Sequence, residues 1–189
     1  MNNRFSINTK GFWETEDGIG HVHDTSLGEG IINYFTANNV NKVFDFGCGM
    51  GDYAKTFISR GLEVKAFDGN PNTEKLTGGI GKVLDLSEEF NLEDLADCAM
   101  SLEVGEHIPK EYEQIFLDNI CRHTNSKILL SWAVVGQTGD GHVNCQNNDY
   151  VIEEMKKRGF TYDAKSSNEL RSKVTVAWWF TNTLMLFVK

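Results

Sequence analysis

The sequence predicts a layered α/β fold in which helices cover both faces of one mainly parallel, seven-stranded sheet. Three observations predict it. From residue 40 onward, short apolar runs rich in Val, Ile, Leu and Phe alternate with amphipathic stretches, the pattern of helices packed over a parallel sheet. The first run leads directly into three glycines at alternate positions, Gly47, Gly49 and Gly51, and then into a helical stretch. The next two runs carry an aspartate at their ends, Asp68 and Asp85.

The elements follow in chain order. Residues 1 to 24 hold Phe12, Trp13, His21 and His23 without clear periodicity and read as an N-terminal arm or lid. The remaining residues, 25 to 189, read as the core of the same single domain. Leu27, Ile31 and Phe35 recur at helical spacing behind Asp24-Thr25-Ser26, any of which can cap a helix N-terminus. Strands are expected at Lys42 to Phe46, Leu62 to Phe67, Lys82 to Leu86, Cys98 to Glu103, Lys127 to Ala133, Phe160 to Asp163 and Thr183 to Val188. Pro109 suits the first turn of a helix reaching Cys121, and a helix starting at Asn147 or Asn148 ends at Gly159, a good left-handed terminator. A last helix is expected from Ser167 to Trp179.

Composition sets limits on partners. A chain of 189 residues, 40% hydrophobic and 24% charged, buries roughly 70% of its unfolded surface without needing a disulfide or a metal. The net charge of -9 argues against nucleic acid, which draws its affinity from Lys and Arg. The one basic run, Lys156-Lys157-Arg158, falls where cations complement the end of a helix. Cys48, Cys98, Cys121 and Cys145 lack paired spacing and read as reduced thiols. The N-terminus, with Arg4 and Lys10, has no apolar core of signal-peptide length, and no stretch reaches membrane-spanning length. Location in the cytoplasm, with no membrane partner, is the expectation.

The strongest functional signal is Val43-Phe44-Asp45-Phe46-Gly47-Cys48-Gly49-Met50-Gly51. Glycine tolerates positive φ and has no side chain, so such a bend lets backbone approach a ligand at a helix N-terminus. Asp68, ending the second strand, stands where a carboxylate accepts both hydroxyls of a ribose. Asp85 either approaches an adenine amino group or caps a turn through Asp85-Leu86-Ser87.

With its Asp-x-Gly-x-Gly-x-Gly pattern, the chain from about residue 40 to 189 resembles the class I S-adenosylmethionine-dependent methyltransferases. Dinucleotide enzymes more often carry Gly-x-Gly-x-x-Gly. The segment Ser101-Leu102-Glu103-Val104-Gly105-Glu106-His107-Ile108-Pro109 is similar to the Glu-His-Ile-Pro variant of that family's fourth motif. The resemblance implies a three-layer Rossmann-like sandwich whose last strand is antiparallel. It implies S-adenosylmethionine as cofactor and S-adenosylhomocysteine as product. Asp45, Gly47, Cys48, Gly49 and Glu103 would lie at the methionine part, Asp68 and Gly69 at the ribose, and Asp85 and Leu86 at the adenine.

Methyl transfer is an in-line displacement that gains from alignment and exclusion of water. His107 and His142 are the candidate catalytic residues, because imidazole takes a proton near neutrality. Trp13, His23, Gln137 and Asn144 are candidate contacts to a small-molecule acceptor, the last two from a loop dense in glycine and polar groups. His21, His23, His142 and Cys145 have no spacing that forces a metal site, and no metal is expected. The reading is methyl transfer to an O or N atom. Its rivals are a nicotinamide-dependent Rossmann oxidoreductase and a module that binds S-adenosylmethionine without turnover.

Overall fold

The structure, a computed structural model, describes residues 6–189; Arg4 lies outside them. The arm contains a hairpin, β1 (Ser6–Ile7) against β2 (Trp13–Glu14). Its turn passes through Gly11 at φ 99°. A Cβ at Gly11 would lie 2.0 Å from the carbonyl oxygen of His107, so this glycine lets the hairpin lie directly on the core.

In α1 (Thr25–Ala37) the Asp24 carboxylate caps the N-terminus, accepting from the Leu27 N–H at 3.0 Å. Leu27, Ile31 and Phe35, one turn apart, are fully buried. The chain continues through β3 (Lys42–Phe46), α2 (Asp52–Ser59), β4 (Glu63–Asp68), α3 (Thr73–Thr77), β5 (Gly81–Val83) and β6 (Ala96–Ser101). A 3-10 turn at Lys110–Tyr112 leads into α4 (Glu113–Arg122), followed by β7 (Thr124–Leu130), α5 (Asn148–Lys157) and β8 (Thr161–Tyr162). Then come α6 (Ala164–Arg171), α7 (Phe180–Thr183) and β9 (Met185–Val188).

Seven strands form one sheet in the order β5-β4-β3-β6-β7-β9-β8. β3 to β7 pair in parallel, and β9 inserts antiparallel between β7 and β8. This is the mainly parallel, seven-stranded sheet expected from the sequence, with the antiparallel last strand that the resemblance implies. Alternation along the strands divides the core between the two faces of the sheet. Phe44 and Phe46 pack with Phe116, Leu117 and Met155 of α4 and α5. Val43, Cys98 and Met100 pack with Leu27, Ile31, Phe35 and Phe57 of α1 and α2. Truncating any one of the buried phenylalanines to alanine costs about 3–5 kcal/mol.

The expected helix from Ser167 to Trp179 is not formed. The Asp163 carboxylate caps the chain earlier, accepting from the Ser166 N–H at 3.0 Å, and α6 ends at Arg171. Beyond it Val174, Thr175 and Val176 are β-branched, and the N–H groups of Thr175, Val176 and Ala177 turn to Asp24 instead of to a helix. The helix expected from Pro109 begins in earnest only at Glu113. The basic run is paired with acids: Lys156 with Glu153, Lys157 with Glu154, and Arg158 with Asp118 and Glu154. Among the described residues, no helix is long and apolar enough to cross a membrane.

Candidate active site

The strand order reverses at β3, with β4 and β5 to one side and β6 and β7 to the other. Such a reversal opens a crevice at the carboxyl ends of the strands. Here it is a cavity of about 420 Å³, walled by the loops after β3, β4, β5, β6 and β7 and roofed by the arm.

Gly47, Gly49 and Gly51 adopt φ of 83°, 53° and 70°. The N–H groups of Gly47 and Cys48 donate to the Phe67 carbonyl at 2.7 and 2.9 Å, which bends the chain sharply at the tip of β3. A Cβ on Gly47 would sit 2.2 Å from Val104 Cγ2, and one on Gly49 2.3 Å from the His21 ring. The glycines are therefore demanded by conformation and by space.

Asp68, at the tip of β4, accepts from the Gly49 N–H through Oδ2 and from the Asn70 N–H through Oδ1, both at 2.9 Å. Each oxygen keeps a lone pair for a ligand. Asp45 is 3% exposed; burial, reinforced by the charge of Asp68, pushes its pKa up to about 7. Burial likewise pushes up the Cys48 thiol. Gly69 is overlain by Phe12, whose Cβ lies 2.6 Å from where a glycine Cβ would be built. Asp85 accepts from Lys10 Nζ at 3.0 Å and from the Ser87 N–H at 2.9 Å, while Leu86 is buried at the same wall. Asp85 thus caps the turn through Ser87, and it also lines the cavity.

Glu103 follows β6 with φ 55°, a left-handed conformation that costs an ordinary residue of order 1–3 kcal/mol. The surroundings fix it there. Its N–H donates to Ser131 Oγ at 2.7 Å, and its carboxylate accepts from Ser131, Thr183 and Gln137 at 2.8, 3.3 and 3.3 Å. Burial pushes the Glu103 pKa up despite these bonds.

His107 and His142 come together at the far wall, ring centroids 5.0 Å apart. His107 Nδ1 lies 3.3 Å from the Gly141 carbonyl and His142 Nδ1 3.2 Å from the Gln137 carbonyl. A carbonyl only accepts, so in each ring Nδ1 carries the proton and Nε2 keeps its lone pair. Burial, with His142 beside it, lowers the His107 pKa to about 4, and burial lowers that of His142. Both rings are neutral at pH 7.

Trp13 stands edge-on to His107 and His21, at 5.4 and 5.1 Å, and His23 edge-on to Tyr53 at 4.7 Å. Trp13, His23 and Gln137 line the cavity; Asn144 does not. The Asn144 side chain is spent behind the wall, donating to Glu113 at 2.8 Å and accepting from Gln146 at 2.7 Å. The structure thereby corrects the sequence expectation that Asn144 faces an acceptor.

No protein-family model matches the chain, and neither does any curated protein. Solved structures do. Magnesium protoporphyrin IX methyltransferase from Synechocystis PCC 6803, solved with bound S-adenosylhomocysteine, has a TM-score of 0.65 at 14% identity, covering 90% of this chain and 89% of that one. An amino pentose methyltransferase from Micromonospora echinaspora, solved with bound S-adenosylmethionine, has a TM-score of 0.68 at 12% identity, covering 90% and 93%. An S-adenosylmethionine-dependent methyltransferase from Clostridium acetobutylicum has a TM-score of 0.66 at 10% identity, covering 88% and 91%. The chain has the class I methyltransferase fold.

Within that methyltransferase fold, several cavity residues carry no sequence signal. Lys10 and Phe12 reach the site only because the hairpin folds back over β4 and β5, and Tyr53, Trp179 and Phe180 arrive from α2 and from the turn before β9. Glu106 is the other omission. It is fully buried, and neither carboxylate oxygen has a hydrogen-bond partner.

Proposed function

We propose that this protein is a methyltransferase that binds S-adenosylmethionine and passes its methyl group to an O or N atom of a small acceptor. The observation that carries this reading is the bare backbone bend at Gly47–Gly49, locked to the Asp68 carboxylate, on a cavity at the sheet reversal of a methyltransferase fold.

The residues present fit the cofactor. Asp45, Gly47, Cys48, Gly49 and Glu103 would hold its methionine part, and Asp68 with Gly69 its ribose. Asp85 and Leu86 would border its adenine. The cofactor supplies an activated methyl group on a sulfonium. Acidic walls suit that positive charge, since Asp45, Asp68 and Glu103 all line the cavity in surroundings where opposite charges attract more strongly than in water. Trp13, His23 and Gln137 would contact the acceptor, with His107 and His142 beside its reacting atom. Phe12 and Trp13 roof the cavity where shielding from water would favour the transfer, and the cavity's size argues for a small acceptor rather than a nucleic acid.

The test is calorimetric titration of the purified protein with S-adenosylmethionine, paired with an assay for S-adenosylhomocysteine over a panel of hydroxyl and amine acceptors. One-to-one binding with product formed from one acceptor class is expected. Saturating donor with no heat and no protection against thermal unfolding overturns the reading, and binding without product on any acceptor leaves a holding module in its place.

A further inference from the structure

The wall that carries His107 and His142 holds a third potential ligand. We propose that Glu106, His107 and His142 form a binding site for a divalent first-row transition-metal ion, which holds an oxygen atom of the acceptor in the cavity. The use of the ion in acceptor binding rests on the methyltransferase reading; the metal site itself does not.

Ligand atoms of these three side chains lie within 4.8 Å of one another, and His142 Nε2 is 4.0 Å from Glu106 Oε1. A metal bonded at about 2.0–2.2 Å to each nitrogen and oxygen needs them about 3 Å apart. Binding therefore requires side-chain rotations that close this gap. Two imidazoles and one carboxylate are the donor set that suits a borderline divalent ion and leaves coordination positions open.

Two independent features point to a ligand. The first is Glu106 itself: a fully buried carboxylate that faces the carboxylate of Glu103, with neither oxygen in a hydrogen bond of good geometry, keeps its charge at low cost only where a cation meets it. The second is the shell behind the imidazoles. Metal-binding histidines characteristically donate their other N–H to a carbonyl, which fixes the tautomer and aims the lone pair. Both rings do so here, to Gly141 and to Gln137. The backbone also sets the register between the two segments. The Glu106 carbonyl accepts from the N–H groups of Val143 and Asn144, both at 2.9 Å, so the loop that carries His142 is pinned to the residue it would share an ion with. Gly105 cannot be replaced without moving this turn, since a Cβ there would fall 2.3 Å from the Trp132 ring.

The sequence reading expects no metal, since His21, His23, His142 and Cys145 have no spacing that forces a site. Among the described residues only His142 of that set belongs to the converging cluster. An ion at the cluster would face the cavity, because His107 and His142 both line it. A hydroxyl coordinated there releases its proton to solvent more readily, as metal-bound water does. The acceptor class indicated is therefore one that offers an oxygen ligand, a hydroxyl rather than an isolated amine.

The test uses the full chain, stripped with a chelator and titrated with Co²⁺ by calorimetry and visible absorption. One ion per chain is expected, with ligand-field bands of an imidazole and carboxylate site. Glu106→Gln keeps the side chain's shape and is expected to weaken Co²⁺ binding at least 100-fold, as is His142→Ala. Asp68→Ala, outside the cluster, is expected to bind Co²⁺ as the parent does while losing S-adenosylmethionine. No stoichiometric binding, or unchanged affinity in Glu106→Gln, overturns the proposal. A parent chain that binds Co²⁺ but takes up no S-adenosylmethionine sinks the methyltransferase reading and keeps the site; a parent chain that binds S-adenosylmethionine but no Co²⁺ keeps the methyltransferase and removes the metal.

Discussion

Removing the carboxylate of Asp24 is expected to unfold the protein more readily than any other single exposed-to-sequence cap would suggest. Asp24 is fully buried. Its Oδ2 accepts from the N–H groups of Thr175, Val176 and Ala177 at 2.7, 2.7 and 3.1 Å, and its Oδ1 from Leu27 N–H and Thr175 Oγ1 at 3.0 and 3.1 Å. Loss of the helix cap alone costs about 1 kcal/mol. Three further N–H groups then lose their acceptor, each at about 1 kcal/mol or more. Asp24→Ala should therefore cost about 3–5 kcal/mol, read as a shift of the urea midpoint followed by tryptophan fluorescence. Asp24→Asn should cost nearly as much, because its NH₂ faces donors in either orientation.

The same residue carries a pH signature. Burial by itself raises a carboxyl pKa, but here the bonds from Val176, Leu27, Thr175 and Ala177 outweigh it and hold the pKa well below the usual range. A depressed folded pKa means that the contribution is complete above the unfolded value of about 3.9 and is lost as pH falls toward the folded one. The stability gap between parent and Asp24→Ala should thus be constant from pH 7 to about 5 and close below about pH 4. A cost under about 1 kcal/mol at pH 7, or a gap that persists in acid, refutes the reasoning.

Gly47→Ala places a side chain at φ 83° and 2.2 Å from Val104 Cγ2; a cost of at least about 2 kcal/mol in thermal unfolding and loss of cofactor binding are expected. Asp68→Ala should weaken S-adenosylmethionine at least tenfold by calorimetry, about 1.4 kcal/mol, and unchanged affinity would remove the ribose assignment. His107→Ala should leave donor affinity within about twofold while turnover falls about 100-fold or more; equal losses in both would place His107 on the cofactor instead.

What the sequence made legible is what neighbouring residues decide. β3 was readable to the residue, because an apolar run that stops at glycine has one local interpretation. A cap of α1 within Asp24-Thr25-Ser26 was readable for the same reason, and Asp24 provides it. The second half of Asp24's role was not, since its partners at 175–177 lie 151 to 153 residues away. Those bonds also explain the failed helix from Ser167 to Trp179: a buried acceptor brought in from the other end of the chain outcompeted local propensity. Lys10 meets Asp85 across 75 residues through a hairpin too short to leave a periodic signal. Asn144, polar and in a functional loop, looked like an acceptor contact, yet its partner Glu113 sits on α4, where sequence spacing says nothing of the distance between them.

These long-range ties matter because the cavity is held in a state that its own residues resist. Glu103 occupies a left-handed conformation, and it shares the cavity wall with Asp45 and Asp68. Burial raises the pKa of Asp45, of Glu103 and, with Glu103 beside it, of Glu106, meaning that each is easier to keep without its charge. A chain selected for stability alone would replace such groups with apolar ones. On the proposed readings, positive charge arriving from outside the chain would favour the ionised form of these buried carboxylates. A sulfonium beside Asp45 and Glu103 and a divalent ion at Glu106 would each supply it. Strain at Glu103 and burial of Asp45, Glu103 and Glu106 therefore fall together at the β3 and β6 ends, where the proposed ligands would bind.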